Sequence, residues 1–455
     1  MRAKPIIINN RKPFYVLIST ATIAAMTLMA LLVRPALADE EATTSCTVET
    51  VLDTNGKAAY KLDPDCTLHL EPTNIPSRGN DSPIQQHDKV RRIVFDDPTQ
   101  TKLNEDSSYL FYGYPKAESI EGIDKLDVSH VQVFDKIFAD LDLKKTANLS
   151  SWNVSSGWDF SSMFNGSNLD GFDGIGNFVF GSNQEYSLIF SNMFDNATST
   201  KGIDLSDWHF PNTLNNPIIT RYMFDGAKTP KIDVSSFSGL DMSIADYMFA
   251  NTNAEIDGLD QLITLHQSAQ HMFENAKPTN KVDLSSWNTE KLDNADNMFK
   301  GSDIDKFSGM NHWSLPKLNY ANDMYANLDP THQVKIQTSM PSLVYSAGMF
   351  SGSNLDMFPD IPNLQLSPTG GLNASVDSMF EDARGTYVNV SGWTNGKGLT
   401  AYGMFDSPYI KFMTFGDKTV GRVSWAHDFA VEENNHIFKK FNGVNVWDRP
   451  DLPKE

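Results

Sequence analysis

A methionine followed by an aromatic residue recurs along this chain at intervals of 24–30 residues: Met163-Phe164, Met193-Phe194, Met223-Phe224, Met248-Phe249, Met272-Phe273, Met298-Phe299, Met324-Tyr325, Met349-Phe350, Met379-Phe380 and Met404-Phe405. Ile137-Phe138 and Leu110-Phe111 extend the series backward at the same spacing, giving about a dozen units. A fixed period of this length is the signature of an array of stacked supersecondary units, because one unit of this size cannot bury its own apolar face.

Each unit has two readable pieces. In "KVDLSSWNTEKLDNADNMF", Val282 and Leu284 alternate with Asp283 and Ser285, the period of a half-buried strand. Leu292, Ala295, Met298 and Phe299 then follow at spacings of three and four, the pattern of a short helical turn. A helix this short is unstable alone and a strand this short has nothing to pair with, so stacking must supply both partners. Gly stands two positions after the pair in "MFKGSDI" and "MFNGSNL", and Asn in "MFENAK" and "MFDNAT", the residues best suited to a left-handed turn. The fold class expected is a repeat solenoid: a right-handed, leucine-rich-repeat-like stack with one short strand and one short helical turn per 24–30 residue coil. With strands about 4.8 Å apart, a dozen coils would span on the order of 55 Å.

The ends depart from the unit. Residues 1–38 combine Arg2, Lys4, Arg11 and Lys12 with the apolar run "FYVLISTATIAAMTLMALLV" and a small-residue site "ALA", so cleavage is expected between Ala38 and Asp39. The run is also long enough to span a bilayer, and an uncleaved anchor stays open. Residues 39–104 read as an N-terminal β cap: "LDTNGKAAYKL" carries an Asn55-Gly56 hairpin signal, "CTLHLE" is strand-like, and "KVRRIVF" joins the stack. In an oxidising compartment Cys46 and Cys66 are expected to form one disulfide, worth roughly 3 kcal/mol for a loop of about twenty residues. Residues 105–405 form the solenoid, and 406–455 a degenerate coil with a C-terminal cap.

The composite of "VDLSSWNT" and "MF" resembles the BspA-like leucine-rich-repeat surface proteins, the repeat family first described as a mycoplasma lipoprotein domain of unknown function. Copies run Ile203 to Trp208, Ile232 to Phe237, Val282 to Trp287 and Val388 to Trp393. The resemblance implies an exposed protein of the bacterial envelope, with adhesion to host matrix, mucus or other cells as the usual proposal. It names no ligand.

Charge narrows the partners. The formal net charge is -20. Five of the 37 basic side chains and none of the 57 acidic ones precede Asp39, so the exported form would carry -25. Such a surface repels nucleic acid and anionic polymers. The outward strand position supplies the candidate ligand-binding row: Asp127, Asp204, Asp233 and Asp283, with Asn148 and Asn389 at the aligned site. Its competing reading is local hydrogen bonding to the following Ser. Calcium between coils is a third, although no EF-hand or nonapeptide spacing is present. Trp152, Trp208, Trp287 and Trp393 share one repeat position where Phe237 substitutes, as core residues do, whereas Trp158 and Trp313 fall off that register and are candidates for exposed contacts. No catalytic or nucleotide-binding motif occurs. The expected function is therefore non-catalytic recognition of a host or envelope macromolecule, at the cell surface or secreted. A structural envelope component and, more remotely, a polysaccharide-active enzyme are the alternatives.

Overall fold

The computed structural model describes residues 45–75, 81–181, 185–212, 214, 216–365, 375–385, 387–390, 403–410 and 412–415. The expected signal peptide with its Ala38–Asp39 junction, Trp393 and most of the expected C-terminal cap lie outside these residues, and of Asn389 only the backbone is described.

The chain begins with β1 (Glu49–Leu52), β2 (Ala58–Leu62), β3 (Thr67–Leu70), β4 (Arg92–Phe95) and β5 (Ser119–Glu121), which form one sheet in that order. The first three pair antiparallel, with Gly56 at φ +77° in the β1–β2 turn, and β3, β4 and β5 pair in parallel. Cys46 and Cys66 are disulfide-bonded with Cα atoms 5.2 Å apart. From β5 onward the chain winds as a β-solenoid. The short strands are β6 (Ala147–Asn148), β7 (Phe172–Asp173), β8 (Ile203–Asp204), β9 (Ile218–Ile219), β10 (Lys231–Asp233), β11 (Asp241–Ile244), β12 (Glu255–Asp257), β13 (Thr264–Ser268), β14 (Val282–Asp283), β15 (Phe307–Ser308), β16 (Tyr387–Val390) and β17 (Phe412–Phe415). All of their pairings are parallel: β6–β7, β8–β10–β12, β9–β11–β13, β14–β15 and β16–β17. Among the described residues no helix is long and apolar enough to cross a membrane.

Two details correct the sequence expectation. A coil carries more than one strand position, because the rows through β8–β10–β12 and β9–β11–β13 are separate ladders. A third row of bridges links Asn168, Thr198 and Lys228. The helical turn is also absent: helical structure among the described residues is limited to three-residue 3-10 segments, none at one of the periodically repeated Met-aromatic pairs. In its place run successive tight turns. Met163, Asn165 and Ser167 each donate N–H to the carbonyl three residues back, at 3.0–3.2 Å. The alternate residues Phe160, Ser162, Phe164 and Gly166 donate instead to Ile189, Ser191, Met193 and Asp195 of the next coil, at 2.7–2.9 Å. An α-helix would consume these donors within its own coil and leave the coils unjoined.

Every fourth residue of this segment is left-handed, as Ser162 (φ +53°) and Gly166 (φ +68°) illustrate. The second is the position read from sequence as Gly or Asn. The first, directly before the Met, was not foreseen. Turns of this kind return inward side chains at spacings of three and four, the same set a helix would bury, and so the periodicity alone misled.

The inward aromatic of each pair stacks on its copies. Phe111, Phe138, Phe164, Phe194, Phe224, Phe249, Phe273, Phe299, Tyr325, Phe350, Phe380 and Phe405 form one column with centroids 5.3–5.9 Å apart and ring planes within 20° of parallel. Offset-stacked pairs add about 0.5–1.5 kcal/mol each beyond their burial. The methionines beside them are buried as well, and a flexible thioether adapts readily to irregular core space.

Phe249→Ala is therefore expected to cost about 3–5 kcal/mol in urea unfolding, against clearly less for Phe249→Leu. Gly258 sits at φ +90°, where a Cβ would lie 2.3 Å from the Ser235 backbone nitrogen of the neighbouring coil. Gly258→Ala should cost at least about 2 kcal/mol from backbone strain and the clash together, read as a fall in melting temperature. A neutral result at either site would remove that contact from the account of stability.

Candidate functional site

Asn148, Asp204, Asp233 and Asp283 lie on the outward strand positions, whereas Asp127 is corrected to a place outside any strand, after the 3-10 segment Ile123–Lys125; each of them is held locally. Asp127 Oδ1 accepts the Ser129 N–H at 3.0 Å and its hydroxyl at 2.7 Å. Asp204 does the same with Ser206 at 3.0 and 2.6 Å, and Asp233 with Ser235 at 3.0 and 2.6 Å. Asp283 accepts the Ser285 N–H at 3.0 Å, and Asn148 the Ser150 N–H at 2.9 Å. The Asp-x-Ser spacing of the repeat is thus a turn device that closes each strand. The Ser129 hydroxyl is the largest influence holding the Asp127 carboxyl below its usual range. Burial works against Asp233, but the Ser235 hydrogen bonds and Lys231 outweigh it and its pKa is also lowered.

The row is segmented. Asn148 stands beside Asp173, Asp233 between Asp204 and Asp257, and Asp283 beside Ser308. Where three carboxylates come into register, Lys231 Nζ reaches Asp233 at 3.3 Å and Asp257 at 2.7 Å, which raises its own pKa, chiefly through the Asp257 hydrogen bond. Like charges at strand spacing repel, and a lysine within the ladder answers that repulsion. No group of three or more His, Cys, Asp or Glu side chains that could hold a metal ion occurs among the described residues.

The tryptophans divide as follows. Trp152, Trp208 and Trp287 are buried, and their indole N–H groups donate to the carbonyls of Ile123, Ile175 and Leu259 in the preceding coil at 2.7–3.0 Å. Trp313 is corrected from an exposed contact to core: it is 1% exposed, lies parallel to Trp287 and donates to the Leu284 carbonyl at 2.9 Å. Gly309, left-handed at φ +90°, adds one residue to that coil. It shifts Trp313 out of sequence register while leaving it in spatial register. Trp158 is half-buried and stacks on Tyr186, itself 49% exposed, at 4.7 Å.

One outward row escaped the sequence reading, the left-handed residues directly before each Met. It holds Tyr222, Tyr247 and His271, all half-exposed, stacked at 4.4 and 4.2 Å. In the same row Lys136 Nζ lies 5.3 Å from the centre of the Tyr109 ring. Carboxylates crowd along it. Burial first, and neighbouring carboxylates after it, push up the pKa values of Asp135, Asp225 and Asp296. His271 Nδ1 lies 2.7 Å from Glu274 Oε2. A further pair, half-buried Tyr320 and Tyr345, stacks at 4.8 Å, with Tyr345 44% exposed. The signal for the row before Met was present in "RYMF" and "DYMF", but its members share a backbone conformation rather than a chemistry.

A family model described as "Mycoplasma protein of unknown function, DUF285" matches residues 105–215 and 190–339, which together take in more than half of the chain and most of the coils described above. No curated protein matches the chain, and no solved structure does. The repeated Met-aromatic coil and this match agree: the chain belongs to the DUF285 family.

Proposed function

We propose that the chain is a non-catalytic recognition protein that works outside the bacterial cell, secreted or held at its surface, and binds a host or envelope macromolecule through the solenoid surface. The observation that carries this reading is the division of labour within a coil. Inward positions repeat from Phe111 to Phe405, whereas outward positions change from coil to coil, as Lys136, Asn192, Tyr247 and Asp323 do at one and the same place. A solenoid with a constant core and a varied exterior offers a long shallow surface rather than a pocket. The Cys46–Cys66 disulfide supports an oxidising compartment, as does the basic and apolar N-terminal sequence. In this reading the coils are leucine-rich-repeat-like in role, and the disulfide-stapled β1–β5 sheet caps the first of them.

The full chain is expected to bind at least one member of an array of mucins, matrix glycoproteins and purified cell-wall material in physiological salt. Chelation of divalent cations should leave that binding unchanged. Retention by peptidoglycan alone, with every host glycoprotein blank, would favour a structural envelope role. Turnover of an arrayed polysaccharide would overturn the non-catalytic reading.

A further inference from the structure

The exposed ring stack in the row before the methionines has no role in the fold that its burial would explain. Tyr222, Tyr247 and His271 are half-exposed, and the aromatic column of the core runs separately through Phe224, Phe249 and Phe273. We propose that this stack, rimmed by Asp225, Glu274 and Asp296, is a docking face for a polypeptide segment rich in lysine or arginine. The proposal rests on the recognition reading above and assigns it a face and a partner chemistry.

Three observations select that occupant. Charge comes first: Asp225 meets Asn251 at 2.8 Å but enters none of the ion pairs found among the described residues, and Glu274 is paired only with His271. A cation arriving there meets charge that the protein leaves largely unanswered. The second is an internal precedent. One occupant of this row is already a lysine: Lys136 extends its ammonium over Tyr109, next to the half-buried Asp135, so the row accepts a basic side chain against an aromatic ring and a carboxylate. The third concerns what the rings can offer. Both faces of Tyr247 are covered, by Tyr222 and by His271, so the central ring presents its edge and hydroxyl and no open face for a sugar ring. Edges of this kind suit the alkyl stem of a lysine or arginine, whose charged head then reaches the carboxylate rim. Ile219 and Ile244, half-exposed and three residues ahead of the two tyrosines, pair with each other across the coils and give apolar ground for intervening side chains.

Asp225 and Asp296 are held in the rim at a cost to stability. The folded state raises the pKa of Asp225, first by burial and then through Asp195 and Glu274. A carboxyl raised in this sense stabilises the fold below its unfolded pKa and loses that contribution as pH climbs through the folded value, so its charge is unfavourable at neutral pH. Asp225→Asn removes that charge and keeps an oxygen to accept from Asn251. It should therefore melt at the same temperature or higher at pH 7, which separates loss of binding from loss of folding.

The test uses the full chain and a fluorescent peptide of alternating lysine and valine, followed by anisotropy. Binding should weaken as salt rises. A glutamate–valine peptide should not bind. Asp225→Asn should weaken the lysine peptide about three- to fivefold, and Tyr247→Ser about tenfold, with Tyr247→Phe close to the parent. Asp283→Asn, on the strand row, should leave the affinity unchanged. Equal weakening by Asp283→Asn and Asp225→Asn would reduce the effect to general charge attraction and overturn the proposal, as would full affinity in Tyr247→Ser. If an arrayed macromolecule binds and both Asp225→Asn and Tyr247→Ser leave that binding intact, the recognition reading stands and this face is not its site.

Discussion

Every coil depends on the hydrogen bonds it exchanges with the coils before and after it. A two-residue strand such as Val282–Asp283 is stable only because Phe307–Ser308 lies beside it in register. The tight turns at the Met-aromatic pairs carry the same dependence further, since Phe160, Ser162, Phe164 and Gly166 have no acceptor within their own coil. The ring column then fixes the lateral position of each coil on the next. Inward variety is consequently small: the ring is Phe in all but one position, where Tyr325 is fully buried and burial raises its phenol pKa.

This dependence explains which parts of the architecture were legible. The period and the inward Met and aromatic are legible because burial repeats them, and the Gly or Asn two positions later and the hairpin at Asn55-Gly56 because a left-handed turn favours those residue types. The conformation between them was misread because a helix and a run of tight turns bury the same spacing, and only the destination of the N–H groups separates the two. Trp313 was misplaced for a related reason: counting along the sequence cannot register the single residue that Gly309 adds.

The outward residues obey a different logic. Asp204, Asp233 and Asp283 are conspicuous in sequence because they repeat, and they repeat because each closes a strand onto the Ser two residues on. Repetition at a surface position therefore marks structure as readily as function. Tyr222, Tyr247 and His271 do not repeat as a type, and the chemistry they share with Asp225, Glu274 and Asp296 exists only once the coils are stacked. Neighbours 25 or so residues apart in sequence become contacts at strand spacing, which no local pattern records.

The turn hydrogen bonds have a direction. From Tyr109 to Asp382 the donors in these rows point to the coil that follows, as in Tyr109 to Asp135, Phe164 to Met193, Phe249 to Met272 and Asp382 to Asp406. Parallel ladders alternate their peptide dipoles and nearly cancel them, whereas these turn rows align theirs and sum them, as a helix does. The backbone of these rows is therefore polarised along the stack, carbonyl ends toward the N-terminal sheet and N–H ends toward the last coils. The sense is opposite to that of an α-helix read along the chain, and the two ends meet an approaching charge differently.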